Sequence, residues 1–276
     1  MPELPEVEVI CRAIRPHLLG RTIVAVKHSG KRLRTPVPIN ELRQDFLHKE
    51  IIEIKRRAKY LLITVADEGI LLIHLGMTGN LGFFPPERPW AKHDHVCFLL
   101  DNDLELRFND SRRFGSIQVL DKNEAAHIEK TFFKKTGPEP FSTGFSTKHL
   151  LHKASGRKQP IKVFLMTNEN VVGIGNIYAS EILFAAGIGP TRAADSITAT
   201  EWRKIIRTSR RILQKAIDCG GSTISDFIHP NRDSGYFQVS FKVYDRAGLP
   251  CVQCKGPIHN LQLGGRSSFY CPECQK

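Results

Sequence analysis

Val7, Ile10, Ile14 and Leu18 recur at the three-to-four-residue spacing of one helix face. Pro5 suits a first turn, so the pattern predicts a helix from residue 5 to about 19, kinked or ended by Pro16 and stopped by Gly20. From Thr22 to about Leu120 the texture changes to short β-rich runs: Ile23 to Val26, Tyr60 to Val65, Ile70 to His74, Val96 to Leu100 and Ser116 to Leu120. Turn sets such as Asp67-Glu68-Gly69 and Asp101-Asn102-Asp103 separate them. Closely spaced strands of this kind predict an antiparallel β-sandwich or barrel, flanked by the first helix and another near Glu124 to Lys130.

Gly137-Pro138-Glu139-Pro140 and the Ser/Thr/Gly residues after it read as a linker. Thr147 to Cys219 is helical in pattern, and Thr198 with Glu201 forms a capping box for the longest helix, which runs to about Ile217 and ends at Gly220-Gly221. Tyr236 to Tyr244 reads as a strand leading into a cysteine cluster. The chain is thus a multi-domain α+β protein divided as 1–133, a linker over 134–149, 150–235 and 236–276.

Lys and Arg outnumber Asp and Glu by 40 to 28 over 276 residues, a net charge of +12 that favours a polyanionic partner without specifying one. No run approaches the ~20 apolar residues of a membrane span. The start, Met-Pro-Glu-Leu-Pro-Glu, is acidic and proline-rich, the reverse of a signal peptide. Both point to a soluble, intracellular protein.

Of seven cysteines, Cys11, Cys97 and Cys219 are scattered and read as spare buried thiols. Cys251-x2-Cys254 and Cys271-x2-Cys274, with 16 residues between the pairs, have the spacing of a structural zinc site. Four thiolates leave no open position, so a catalytic zinc is disfavoured, as are disulfides in an intracellular chain. A terminal segment this short builds no core of its own, and the metal supplies much of its folding energy. Between the pairs, Leu263-Gly264-Gly265-Arg266-Ser267 reads as a hairpin tip. Arg266 suits a two-pronged phosphate contact, and a solvated arginine fits the spacing equally.

Removal of Met1 would expose the secondary amine of Pro2. An α-amino group has a reference pKa of ~8 against ~10.4 for lysine, so more of it is free base near neutrality. The N-terminus of the following helix lowers that pKa further, while Glu3 and Glu6 oppose the shift. Such an amine attacks aldehyde-like carbons and gives an iminium, an electron sink, with Glu3 placed to shuttle protons. Prolines and glutamates also simply favour helix first turns.

Lys55-Arg56-Arg57-Ala58-Lys59 precedes an apolar run; inside a strand, Lys55, Arg57 and Lys59 would share one face, as a phosphate groove or a solvated edge. His74-Leu75-Gly76-Met77-Thr78-Gly79 and Ser111-Arg112-Arg113-Phe114-Gly115 read as turns presenting Met, Arg and Phe, the residue types that wedge between base steps and fill the space of an extruded base. His93 and His95 would share a strand face, where structural hydrogen bonding is the better reading than a metal site. Val172-Gly173-Ile174-Gly175-Asn176 could open a helix towards a phosphate. Arg203, Arg207 and Arg210 make a stripe that reads as the solvated face opposite Trp202, Ile205, Ile206 and Leu213.

Taken together, PELPEVE, RRAKYLL, HLGMTG, KHDHV, DSRRFG, VVGIGNIYASE and the four-cysteine finger resemble the formamidopyrimidine-DNA glycosylase family over essentially the whole chain. The resemblance implies an N-terminal β-sandwich domain, a helix–two-turn–helix domain and a zinc finger, with damaged double-stranded DNA bound in the cleft between them by a monomer. It implies catalysis by Pro2 as nucleophile, Glu3 as acid/base and Lys59 near the lesion's phosphates and sugar, with Glu6 in support. Met77, Arg112 and Phe114 would fill the gap left by a flipped lesion, Asn176 and Arg266 would clamp phosphates, and His74, His93, Lys162 and Tyr178 would add DNA contacts. The loop from about Ser222 to Tyr236 would close over the flipped base. One structural Zn2+ and no redox cofactor are implied. Met166-Thr167-Asn168-Glu169 departs from the Asp-Gln pair the family pattern leads one to expect before Val-Val-Gly. A related endonuclease for oxidised pyrimidines shares the architecture, although its start usually has Gly where Leu4 stands and the Met77, Arg112, Phe114 set favours the purine branch. A zinc-containing DNA-binding protein without catalysis would need no exposed proline amine.

Overall fold

The computed structural model describes residues 2–221 and 241–276. Of these, 2–134 with 220–221 form one compact unit and 135–219 with 241–276 another.

The first unit opens with α1 (Leu4–Leu18), whose buried stripe includes Val7, Ile10, Ile14 and Leu18. Pro16 does not end it, because the hydrogen bond that proline forfeits falls in the last turn, where Leu19 N–H still reaches the Arg15 carbonyl at 3.0 Å. Eight strands follow: β1 (Ile23–His28), β2 (Ile51–Arg57), β3 (Tyr60–Val65), β4 (Ile70–His74), β5 (Gly79–Phe84), β6 (Asp94–Leu100), β7 (Glu105–Asp110) and β8 (Ser116–Leu120). They pair antiparallel in two sheets, ordered β1-β6-β7-β5 and β2-β3-β4-β8. Leu61, Ile63 and Ile73 of one sheet share a core with Phe98, Leu106 and Phe108 of the other and with the α1 stripe. This is the expected antiparallel sandwich.

β2, β5, β7 and a helix, α2 (Ile39–Phe46), are additions to the elements read from the pattern. β7 escapes it because its charges are buried. Arg107, 1% exposed, bonds Glu105 and the carbonyls of Arg88 and Pro89, and Lys27 reaches Glu105 at 2.8 Å. The helix expected near Glu124 to Lys130 is a short α3 (Lys122–Ala126), capped by Asp121.

The second unit contains α4 (Thr147–Ala154), α5 (Ile161–Met166), α6 (Asn176–Ala186) and α7 (Ala199–Asp218), followed by the hairpin β9 (His259–Leu263) and β10 (Arg266–Tyr270). Thr198 and Glu201 form the expected capping box on α7: Thr198 Oγ1 accepts Glu201 N–H and the Glu201 carboxylate accepts Thr198 N–H. Trp202, Ile205 and Leu213 of α7 pack with Phe164, Ile177 and Ile182. Beyond α7, Gly220 and Gly221 take φ of +81° and +82°, which turns the chain away.

The segment read as a linker is strapped to these helices. Gly137 N–H donates to the Asn168 carbonyl, Val172 N–H to that of Pro138, and the Arg210 guanidinium to those of Pro140, Ser142 and Phe145. The departure at 166–169 packs well, since the nearby Asn170 side chain donates to the Phe164 carbonyl at 2.9 Å and Thr167 Oγ1 to that of Val163. Residues 241–244 form bends and turns and not the end of a strand; the rest of the strand expected from Tyr236 lies outside the described residues. Cys11 and Cys97 are buried, Cys219 only half-buried. Among the described residues no helix is long and apolar enough to cross a membrane.

Candidate active site and nucleic-acid-binding residues

Glu3 is the N-cap of α1 and is 1% exposed, while Pro2 beside it is half-buried. The Glu6 carboxylate, itself buried, accepts the backbone N–H of Glu3 at 2.8 Å. That bond fixes the backbone one residue after Pro2 and with it the direction in which a Pro2 amine would emerge. Gly221 passes over Glu6 so closely that a Cβ there would stand 3.4 Å from its Cγ.

Lys59 lies in the two-residue turn between β2 and β3, not inside a strand, so it does not share a strand face with Lys55 and Arg57. Ala58 ahead of it takes φ of +54°, a strained conformation for alanine. The turn is held by Arg56, which donates to the Ala58 carbonyl and to the Glu8 carboxylate, both at 2.9 Å. Burial pushes the Glu8 carboxyl up, but hydrogen bonds from Arg12 and Arg56 outweigh it and leave its pKa below the ordinary value. Arg15 of α1 also donates to the Ile54 carbonyl of β2 at 2.9 Å. The helix behind Pro2 and the turn carrying Lys59 are thereby tied together. Sequence reading missed Arg56 because one arginine in a basic run carries no mark of being the buried one.

His74 ends β4 with its ring 4.8 Å from that of Tyr60. Burial first, then the charges of Lys59 and Arg34, push its pKa down to about 4. Nδ1 accepts Gly76 N–H at 3.0 Å, so the neutral ring carries its proton on Nε2 as a hydrogen-bond donor.

Met77 and Phe114 are large apolar side chains left exposed, at 36% and 45%, on two turns that touch. Gly76 takes φ of +63°, and a Cβ on it would fall 2.4 Å from both Phe114 C and Gly115 N. The contact is backbone on backbone, and only glycine permits it. Asp110, fully buried, locks the pair: its carboxylate accepts from Thr78 Oγ1, Arg112 N–H and Gly115 N–H. The Arg112 guanidinium sits 4.7 Å over the Phe114 ring. In the sequence Asp110 heads the DSRRFG motif, where nothing marks it as the buried residue that holds both turns. His95 is buried, bonding the Asp110 carbonyl and Ser29, which is the structural role expected; His93 is half-buried in the turn before β6.

In the second unit Asn176 opens α6 after Gly175. Lys162 and Tyr178, expected as DNA contacts, are each 1% exposed and belong to the interior. The Lys162 ammonium donates to Asn176 Oδ1 (2.7 Å), Ser268 Oγ (2.7 Å) and the Ser267 carbonyl (3.0 Å). It therefore orients Asn176 and holds the hairpin whose tip carries the exposed Arg266. That tip is a two-glycine turn, φ +55° and +72°, against Val163 of α5.

Cys251, Cys254, Cys271 and Cys274 bring their sulfurs within 4.8 Å of one another. The pairs Cys251–Cys274 and Cys254–Cys271 lie at 3.9 and 3.4 Å, near the ~3.8 Å edge of a tetrahedron with ~2.3 Å zinc–sulfur bonds. The donor set fits one zinc ion. Two polar groups missed in the sequence fasten this segment to the helices. Buried Glu181 accepts the N–H groups of Lys242, Val243 and Tyr244 at 2.9 to 3.0 Å. Gln275 bridges Cys271 N–H and the Ile188 carbonyl. The capping loop expected at 222–236 lies outside the described residues.

Residues 1–117 match the formamidopyrimidine-DNA glycosylase N-terminal domain, 136–228 the formamidopyrimidine-DNA glycosylase H2TH domain, and 248–276 a zinc finger found in FPG and IleRS. The formamidopyrimidine-DNA glycosylase of Hahella chejuensis is 45% identical over 276 residues, 100% of both chains, and that of Legionella pneumophila is 45% identical over 275 residues, 100% of this chain and 98% of its own. Lactococcus lactis Fpg, solved with a DNA containing N7-benzyl-Fapy-dG, superposes with a TM-score of 0.90 at 30% identity over 100% of both chains. With a proline ahead of a capped helix, a glycine-locked pair of turns and a four-cysteine finger all present, the chain belongs to the formamidopyrimidine-DNA glycosylase family.

Proposed function

We propose that the protein is a bifunctional DNA glycosylase and AP lyase of bacterial base-excision repair, acting in the cytoplasm on oxidised purines in duplex DNA. The observation that carries this reading is the start of α1, where the Glu6 carboxylate pins the backbone between Pro2 and buried Glu3. The Pro2 nitrogen attacks C1′ of the damaged nucleoside as the glycosidic bond breaks and the base leaves with its electron pair. Glu3 donates a proton to the ring oxygen, which opens the sugar and leaves a C1′ iminium on Pro2. The iminium acidifies the 2′ hydrogens, and successive β- and δ-elimination expels the 3′ and then the 5′ phosphate.

Lys59, neutral His74 and His93 supply donors for the sugar-phosphate. Met77, Arg112 and Phe114 fill the space of the extruded nucleotide. Asn176 and Arg266 hold phosphates, while Lys162 and Tyr178 act from the interior by positioning. Zinc held by the four cysteines cross-links the terminal hairpin and takes no part in the chemistry. The functional division is 1–133 for catalysis, 150–235 for helix–two-turn–helix DNA binding, and 236–276 for the finger.

The test is borohydride trapping on a duplex with one 8-oxoguanine opposite cytosine, comparing the natural chain with Pro2→Gly and Glu3→Gln. A covalent adduct mapped to Pro2 and lost in Pro2→Gly is expected. Tight, salt-dependent binding with Pro2 exposed and no adduct overturns the lyase reading for this lesion. One of the solved Lactococcus lactis Fpg structures, 30% identical, holds DNA with an oxidised pyrimidine, so that lesion belongs in the same panel.

A further inference from the structure

A cavity of about 560 Å³ opens in the second unit, between the segment entering α4 and one face of α7. Arg203, Arg207 and Arg210 line it from α7, at the spacing that puts all three on one stripe, and Thr143, Ser146 and Thr147 line it from the other side. Phe145 and Ile206 complete the lining, and among the described residues no carboxylate lines it. Arg210 is committed to the cavity wall through the carbonyls of Pro140, Ser142 and Phe145. Arg203 and Arg207 are exposed, and their guanidiniums have no hydrogen bond or ion pair among the described residues. Like charges four residues apart on a helix repel one another, and an anion placed between them relieves that repulsion. Forked guanidiniums flanked by hydroxyl donors match the oxygens of a phosphate.

We propose that this cavity is a phosphate subsite separate from Asn176 and Arg266, taking either a phosphodiester of the DNA backbone or a free phosphate or pyrophosphate. The DNA source rests on the repair reading above; the free-phosphate source does not.

The experiment uses the zinc-loaded full chain, the double variant Arg203→Gln/Arg207→Gln, and Arg203→Lys/Arg207→Lys. Affinity for an undamaged duplex of about 30 base pairs is followed from about 50 to about 300 mM salt. If the backbone is the ligand, the slope of log K against log salt falls by about 1 to 2 in the Gln variant, at about 0.9 for each phosphate no longer neutralised, and is retained in the Lys variant. Single-turnover excision at saturating enzyme stays unchanged. In parallel, inorganic phosphate and pyrophosphate are titrated against the arginine Nε–H resonances. An unchanged slope with saturable shifts at Arg203 and Arg207 assigns the site to free phosphate. An unchanged slope and no shifts overturn the proposal and return the stripe to a solvated helix face. Failure of the natural chain to bind duplex even at low salt counts against the repair reading, and the titration still decides the cavity.

Discussion

Gly76 and His74 show how much of this chemistry turns on single positions. Gly76→Ala would set a methyl 2.4 Å from the backbone of the Phe114 turn and force a left-handed φ on alanine. A loss of about 2 kcal/mol or more is expected in urea unfolding, because no flexible side chain can move aside. His74 is expected to titrate near pH 4, as followed by the chemical shift of its ring protons, and to stay neutral through the physiological range. Its pKa is depressed on folding, so between its usual 6.5 and about 4 the unfolded chain binds more protons. Its contribution therefore erodes stability as pH falls through that window and is absent above it. Lys59→Met removes one of the two nearby charges and is expected to raise the midpoint only in part, since burial is the larger cause. The identities of these residues were legible in the sequence, but their states were not: a histidine at a strand end gives no sign of which nitrogen is occupied.

Elements were legible where the chain displays a helical stripe, an apolar run bounded by turn residues, or a capping pair. α1 carries the first, β3 and β4 the second, and the start of α7 the third. β7 carries none of these, because Glu105, Arg107 and Asp110 are buried polar residues that satisfy one another or the backbone, and a polar string reads as a loop. α2 sits just behind Pro36 and Pro38, which look like breakers. The tie between α1 and the β2–β3 turn was equally hidden, since Arg56 and Glu8 are 48 residues apart. Arg56→Met leaves the Ala58 carbonyl and one Glu8 oxygen without this donor. A loss of about 1 to 3 kcal/mol in urea unfolding is expected from the lost charge-assisted hydrogen bonds. Excision should fall more than duplex affinity, since the substitution loosens the support of Lys59 while sparing Asn176 and Arg266. Thr198→Ala, in contrast, should cost about 1 kcal/mol in thermal unfolding without changing activity, as none of the residues proposed for the chemistry takes part in the cap.

At the scale of the molecule, the cysteine spacing announced a metal and the basic balance a polyanion, yet neither revealed how the finger is fastened down. Glu181, Gln275 and Lys162 do so from the interior, each through polar atoms that a sequence pattern assigns to the surface. Chelation of the metal is expected to melt the β9–β10 hairpin and to weaken duplex binding, seen as loss of protection in hydrogen exchange from residues 251–276 alongside a fall in affinity. Lys162 has a further consequence. One ammonium serves both Asn176 and the hairpin strand that runs on to Cys271. Whatever steadies one end of that contact steadies the other, and thermodynamic reciprocity requires the effect to be equal in both directions. If Asn176 holds a phosphate as proposed, duplex should then raise the chelator concentration needed to strip the zinc, and the metal's affinity becomes a gauge of whether the enzyme is on DNA.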